Sequence, residues 1–522
     1  MADVILIRPR FVKPEEASLG NEPRPPSGLI YLAAPLVAAG FEVLIVDQIM
    51  DPQWEAKLLK GLSDRTLCVG ITALTGPMIS NGIDIARLVR QRAACPIVWG
   101  GVHATLDPDT TVRSEQVDIV VSGEGEETFL QLVQALRDGA PLGSVAGIVY
   151  QEGQEVRRTR PRAVYDLDRL PRLPFELVEL RLYRGHPGLR SFFNFDTDLA
   201  VALETSRGCT HRCTYCVMAS REHRSQARWR GMSAQKVADV VEQLSRDHGV
   251  GGFAFGDGNF FGDRQRVLQL ADEIERRQLR FEWAADVRMD TIVKQMDVPL
   301  LRRLERAGLR CLVIGIESGS DRVLRSIRKG ETRDVYLQAN RMLAQTGIIP
   351  RYGYLQGLPG ETAADVAQTY ELAAQMMRDN PRSGHGLNKV IPTPGTPLFD
   401  ECTKRGLRRP TRLDEWPELC DTNWRNGPAI WMDREAARRI QDLFFFNLIA
   451  VWGNPALRPG RLQRLVLGSA SALVLFRVHR SIYALPVERL FSSLLMREPV
   501  MRRARALVGR LEARRIRRLG EG

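Results

Sequence analysis

The sequence predicts an α/β protein made of two successive parallel-strand units and a mainly helical C-terminal region. Three observations predict it. Short apolar runs alternate with helical stretches from residue 4 to 137, and again from 199 to 391. The segments leaving the strands are rich in glycine and small polar residues. One of them, Arg207-Gly208-Cys209-Thr210-His211-Arg212-Cys213-Thr214-Tyr215-Cys216, carries three cysteines spaced C-x3-C-x2-C.

At 522 residues the chain has room for two or three domains. Of its eight cysteines, Cys68, Cys95, Cys311, Cys402 and Cys420 are scattered and read as buried thiols, so a reducing cytoplasm is expected. Met1-Ala2-Asp3 leads straight into a strand, so no signal peptide is expected. No apolar run approaches the roughly 20 residues of a membrane span. The net charge is +12, but residues 455–522 hold fifteen Arg and four acids, a balance of 15 − 4 = +11. The body is nearly neutral, which argues against nucleic acid as a partner.

In residues 1–145, Val4–Ile7, Glu42–Asp47, Leu67–Thr72, Pro96–Trp99 and Asp118–Val121 read as strands. Helices are expected over Gly28–Ala39, Met78–Arg92 and Glu126–Arg137. This pattern predicts a doubly wound, Rossmann-like parallel sheet. Its strand-end loops contain Thr72 and Thr75, then Gly100-Gly101-Val102-His103-Ala104-Thr105, then Gly123-Glu124-Gly125-Glu126. No phosphate loop or complete G-x-G-x-x-G follows the first strand, which leaves ATP and NAD without support. Residues 146–195 are rich in Arg, Pro and Asp and read as an extended linker with solvated arginines.

Residues 196–400 form the second unit. Leu199–Leu203 is a buried strand, so the cysteine loop leaves its C-terminal end, where open α/β sheets bind ligands. Clustered thiolates suit zinc or an iron–sulfur cluster. Zinc wants a fourth ligand, and His211 stands too close to its neighbours to complete a tetrahedron. A 4Fe–4S cluster on Cys209, Cys213 and Cys216, with one iron left open, fits better. Further strands are Gly252–Phe255, Phe281–Ala285, Cys311–Gly319, Pro350–Leu355 and Gly386–Ile391, and Ser233 caps a helix running to Asp247. Taken singly, Asp257 and Asn259 are also ordinary turn residues, Glu317 a helix-entry carboxylate and Arg288 a surface ion-pair partner.

With Tyr215 at the aromatic position, the loop resembles the C-x3-C-x-aromatic-C signature of the radical S-adenosylmethionine (SAM) enzymes. The resemblance implies a partial (β/α)6 barrel with its active face at the strand C-termini. It also implies that the open iron chelates SAM, which is cleaved to a 5′-deoxyadenosyl radical. Gly256, Asp257 and Asn259 would lie by the amino group of SAM, Glu317 by the ribose diol and Gly357 by the adenine. Tyr215 and Arg288 would complete the SAM site. A carboxylate suits a vicinal diol because it accepts two hydrogen bonds.

The N-terminal loop strings resemble the cobalamin-binding domain that precedes the barrel in one large subfamily. Thr72, Thr75, Gly100, Gly101, His103, Gly123, Glu124 and Gly125 would then contact cobalamin. No histidine occurs between Arg8 and Ser27, and His103 belongs to a string typical of proteins that do not ligate cobalt with it. Cobalamin is therefore expected base-off without histidine.

The function implied is methylation of an unactivated carbon in a small-molecule or lipid-like substrate, with an external flavodoxin- or ferredoxin-type electron donor. The alternatives are a non-methylating cyclase or ring-rearranging enzyme on the same scaffold, and a non-catalytic cobalamin-binding sensor. A tRNA methylthiotransferase would need a second three-cysteine set, which the N-terminal unit lacks. Residues 401–522 carry no recognised motif; helices are expected from Arg434 onward. Leu465–Phe476 with its flanking arginines fits either a helix packed on the barrel or one lying on an anionic inner membrane surface.

Overall fold

The computed structural model describes residues 2–11, 24–186, 188–220, 229–419 and 429–442. The N-terminal sheet has seven strands in the order β2-β1-β3-β4-β5-β6-β7. They are β1 Val4–Arg8, β2 Val43–Asp47, β3 Cys68–Thr72, β4 Ile97–Gly100, β5 Ile119–Val121, β6 Ile148–Glu152 and β7 Glu155–Arg158. The first five run parallel, and the chain reverses direction across the sheet between β1 and β3. Ligands bind at such a switch point, beyond the strand C-termini. β1 is buried at every position because helices cover both faces of the sheet, which explains its unbroken apolar run.

Two expectations for the linker need correcting. Residues 148–158 form an antiparallel hairpin, β6–β7, that extends the N-terminal sheet. Nor are all its arginines solvated. Arg162 turns back onto the first domain, where its Nε donates to Thr128 Oγ1 at 2.8 Å.

The second sheet has six parallel strands in chain order: β8 Ala200–Leu203, β11 Gly252–Phe255, β12 Glu282–Asp286, β13 Leu309–Glu317, β14 Ile349–Gln356 and β15 Gly384–Lys389. β8 and β15 are its free edges, so it is an open barrel. Between β8 and β11 lies a short antiparallel ladder of β9 Ser206–Arg207 with β10 Arg230–Gly231. Lumen positions on β8, β11, β12 and β13 are small: Ala200, Ala254, Ala284 and Cys311. The floor is closed by Leu189 and Phe195, at and just after the helix Gly188–Phe193.

The segment after the barrel returns to the first domain. Leu413 and Trp416 join the core on one face of the N-terminal sheet, together with Ile71, Ile97 and Trp99. The helix Arg434–Asp442 follows where helical periodicity was expected. Leu465–Phe476 and the basic tail lie outside the described residues.

Candidate functional site

A cavity of about 380 Å³ lies between the two sheets. Its N-terminal wall comes from the C-terminal ends of β3, β4 and β5 and the loops after them. Thr72, Gly100, Gly101, Gly123, Glu124 and Gly125 all line it. Gly101 adopts φ +89°, and a Cβ there would stand 2.6 Å from Thr72 Oγ1, so the turn requires glycine. Thr105 ties the two glycine loops together: its hydroxyl donates to Gly101 O at 2.9 Å and accepts from Gly123 N at 3.0 Å. The wall is otherwise apolar, with Leu6, Leu32, Leu74, Val98 and Phe129. Glycine backbone beside apolar side chains suits a broad ligand such as a corrinoid, and among the described residues no histidine or cysteine lines the cavity.

His103 and Thr75 are not on this wall. His103 is fully buried, and its Nδ1 pairs with Thr75 Oγ1 at 3.0 Å. The ring packs edge-on against Trp416 at 5.3 Å. Burial pushes its pKa down to about 4. It packs against Trp416 and does not line the cavity, where contact with the edge of a cofactor was expected.

The opposite wall is the cysteine loop itself, through Gly208 and Met218, with Glu204, Ser206, Arg207 and Gly258. Arg207 stands at the junction. Its guanidinium reaches Glu126 Oε1 at 2.5 Å, Glu204 Oε2 at 2.8 Å and Glu124 Oε2 at 3.2 Å. Arg230 also pairs with Glu124. The Tyr31 hydroxyl donates to Glu204 O at 2.9 Å and accepts from Glu204 N at 3.1 Å. Glu124 therefore fastens domain to domain as well as facing the cavity.

The loop holding Cys209, Cys213 and Cys216 is pinned on both sides: Thr214 N donates to Ile327 O at 2.9 Å, and Leu398 N donates to Thr214 O at 3.0 Å. All three cysteines are free thiols. Burial pushes Cys216 up to about 11 and Cys209 in the same direction, so a metal that binds must displace protons. Among the described residues no three His, Cys, Asp or Glu converge on a single ion. A cubane asks less of the chain, because each thiolate meets a different iron.

Glu317 ends β13 at φ +67°, a left-handed conformation that a non-glycine residue adopts at a cost. Its Oε1 accepts from the Tyr215 hydroxyl at 2.9 Å and lies 3.4 Å from Lys329 Nζ. Gly315 makes room for this carboxylate, since a Cβ there would lie 2.1 Å from Glu317 Oε1. Gly256 is exposed at the end of β11, where a Cβ would meet nothing nearer than 3.9 Å, leaving room for a ligand.

Four other residues expected at the SAM site are placed as follows. The Asp257 carboxylate is buried and accepts from Thr205 N at 2.6 Å, Thr205 Oγ1 at 2.7 Å and Ser206 Oγ at 2.7 Å. It braces the cysteine loop. Asn259 is buried, its carbonyl accepts from Trp229 Nε1 at 2.8 Å, and its Oδ1 finds no partner among the described residues. Arg288, expected in the SAM site, is buried in a charged network beside Cys213, which sets aside the alternative of a surface ion pair. Gly357, at φ +83°, is covered by the returning segment: its carbonyl accepts from Trp431 Nε1 at 2.9 Å, and a Cβ would stand 2.9 Å from Met432 Sδ.

Sequence reasoning missed Arg207, Thr105, Lys329, Glu331 and the role of Asp286. Asp286 ends β12 on the lumen face it shares with Ala284. Burial, with the nearby Asp257 charge, raises its carboxyl to about 7. An acid at a strand end two residues after the lumen alanine Ala284 was the available signal.

The family model of the Radical SAM superfamily matches residues 203–373, and that of the B12 binding domain matches residues 21–133. An uncharacterised methyltransferase of Pyrococcus horikoshii is 28% identical over 412 residues, 78% of this chain and 82% of that protein. The anaerobic magnesium-protoporphyrin IX monomethyl ester cyclase of Synechocystis is 28% identical over 348 residues, 65% of this chain and 66% of that protein. Among solved structures, the radical SAM methyltransferase TsrM of Kitasatospora setae, with cobalamin and a [4Fe-4S] cluster bound, has the same fold. Its TM-score is 0.61 at 20% identity, covering 92% of this chain and 89% of that one. With a B12-binding domain whose strand ends open onto a three-cysteine loop at the mouth of an open six-stranded barrel, the chain belongs to the radical SAM superfamily, in the group that pairs the barrel with cobalamin.

Proposed function

We propose that the protein methylates an unactivated carbon of a small-molecule or lipid-like substrate, using a 4Fe–4S cluster, SAM and cobalamin. The supporting observation is the shared cavity: loops of the B12-binding domain and Gly208 and Met218 of the cysteine loop line one space. A corrinoid on the first wall then faces the barrel mouth across a common chamber.

When bound, the cluster with SAM supplies hydrogen abstraction from carbon, and the corrinoid supplies a methyl group. Cys209, Cys213 and Cys216 hold the cluster. Glu317, with Tyr215 and Lys329 beside it, orients SAM, and Gly256 leaves space for it. Asp257 keeps the cysteine loop at its height above the lumen. The Arg207 cluster holds the two walls at a fixed separation, and the apolar cavity lining excludes water from the reaction. The electron comes from an external donor of flavodoxin or ferredoxin type.

A cyclase among the relatives supports a second reading, oxidative ring closure without methyl transfer. Methyl-deuterated SAM separates the two. The reconstituted protein, incubated anaerobically with dithionite and cell extract, should place the labelled methyl in a product one CH2 heavier than its precursor. A product carrying no label would favour cyclisation. We also infer a cytoplasmic location; the C-terminal region either packs on the barrel with a solvated basic tail or meets an anionic membrane surface. Among the described residues no helix is long and apolar enough to cross a membrane.

A further inference from the structure

We propose that Arg288 sets the reduction potential of the cluster held by Cys209, Cys213 and Cys216. The inference rests on that cluster assignment and adds a role that neither the family match nor the relatives' names give.

Arg288 lies two residues beyond β12 and is 9% exposed. Every arm of its guanidinium is engaged. Nε donates to Asp290 Oδ1 at 3.0 Å, and Nη2 donates to Lys329 O at 2.7 Å while lying 3.6 Å from Glu331 Oε2. Nη1 points at Cys213 Sγ from 3.9 Å. Held on three sides, the fork cannot swing to solvent, so the direction of the N–H toward sulfur is built in.

The surrounding charges balance. Lys294 lies 3.2 Å from Asp290, and Lys329 lies 3.4 Å from Glu317 and 3.6 Å from Glu331. With Arg288 that makes three cations against three carboxylates. The network therefore has no net charge to impose on the cluster. What remains is its asymmetry: a cationic N–H faces the sulfur, and Asp290 and Glu331 stand behind it. Hydrogen bonds to cluster-ligating sulfur and a nearby positive charge both stabilise the more electron-rich state. Reduction adds one electron from the external donor, so Arg288 raises the potential at which that electron is accepted.

The engaged fork also limits the other reading of Arg288. A SAM carboxylate would have to displace Asp290 or Lys329 O to gain a two-point contact. Arg288 acts on the thiolate and, through it, on the iron.

The test uses the full chain with its cluster reconstituted anaerobically, titrated with dithionite and mediators in the absence of SAM. The reduced cluster is read by electron paramagnetic resonance. Arg288→Met should make reduction at a fixed potential about tenfold less favourable, a downward shift of about 59 mV for a one-electron couple. Arg288→Lys, which keeps the charge and an N–H donor, should recover more than half of that shift. Asp290→Asn removes a carboxylate behind the guanidinium without changing its shape, and should move the potential upward. Wild-type midpoints in Arg288→Met and Asp290→Asn at full iron content would overturn the proposal. If Arg288→Met fails to hold iron, Asp290→Asn decides: an unchanged or lowered potential overturns it. Full iron content in Cys213→Ala would defeat the ligand assignment itself, whatever the potentials do.

Discussion

The N-terminal wall of the central chamber and the mouth of the barrel recognise by different physics. The N-terminal wall is glycine backbone and apolar side chain, and its acids Glu124 and Glu126 are turned into ion pairs with Arg207 and Arg230. The barrel mouth, in contrast, links Arg288, Lys329, Glu317, Glu331 and Asp290 through ion pairs of 3.0–3.6 Å, with Arg288 Nη1 3.9 Å from Cys213 Sγ. A wall without free charges selects by shape and tolerates a large ligand. A charged wall selects by placing donors and acceptors, and it acts on whatever electrons pass beside it. The difference teaches that the chain assigns holding to one side and chemical tuning to the other.

Breaking the fastening between the walls should have the largest effect. Arg207→Met leaves Glu126, Glu204 and Glu124 facing one another with Arg230 paired to Glu124 alone among the described residues, and loss of one partner in a buried ion-pair group costs about 3–5 kcal/mol. Calorimetry should show a clear drop in unfolding temperature. A loss under about 1 kcal/mol would mean that the walls are held elsewhere.

A smaller effect should separate charge placement from shape. In Gly315→Ala the new methyl would overlap the Glu317 carboxylate. SAM affinity by isothermal titration should fall by about 1–3 kcal/mol, as expected for Glu317→Ala. The double variant should lose little more than either alone, because both act on one carboxylate. Fully additive losses would show that Gly315 matters for another reason.

Asp286 sharpens the contrast through pH. Its carboxyl is raised from 3.8 to about 7, so between those values the folded protein keeps a proton that the unfolded chain has released. Stability contributed by that proton falls as pH rises through this window and levels off above it. Denaturant midpoints should therefore show Asp286→Asn gaining on the wild type between pH 5 and pH 8. An equal difference at both pH values would show that the carboxyl does not titrate there.

The smallest spectroscopic effect belongs to His103→Ala. The electron paramagnetic resonance spectrum of the one-electron-reduced corrinoid should not change, because His103 lies against Trp416 and off the cavity wall. Splitting from one nitrogen in the wild type that disappears in the variant would show that the histidine ligates cobalt.

Most strands were legible because each is a short, continuous apolar run that both faces of a covered sheet require. β6 and β7 escaped because Gln151, Glu152, Arg157 and Arg158 make them look like loop, which an edge hairpin with exposed polar residues is free to do. The cysteine loop and the glycine turns were legible because few residue types can do their work. His103 and Asp257 were harder. Their strings marked strand-end loops correctly, but whether a polar side chain points into a cavity or back into the protein depends on partners distant in sequence. For His103 the partner is Trp416; for Asp257 it is Thr205 and Ser206. Arg207 sits beside the cysteines, yet its carboxylate partners Glu124 and Glu126 are about eighty residues away, and no spacing rule connects them.

The return of Trp416 to the first domain has a consequence for synthesis. The N-terminal sheet is fully translated by residue 158, while the tryptophan that completes one of its core faces comes only at residue 416. At ribosomal speeds of 5–20 residues per second, that interval is on the order of tens of seconds. Throughout it, the groove beside His103 and Thr110 lacks the cover that Trp416 later supplies. A nascent chain in that state is a natural client for a chaperone, and any truncation before residue 413 would make the condition permanent.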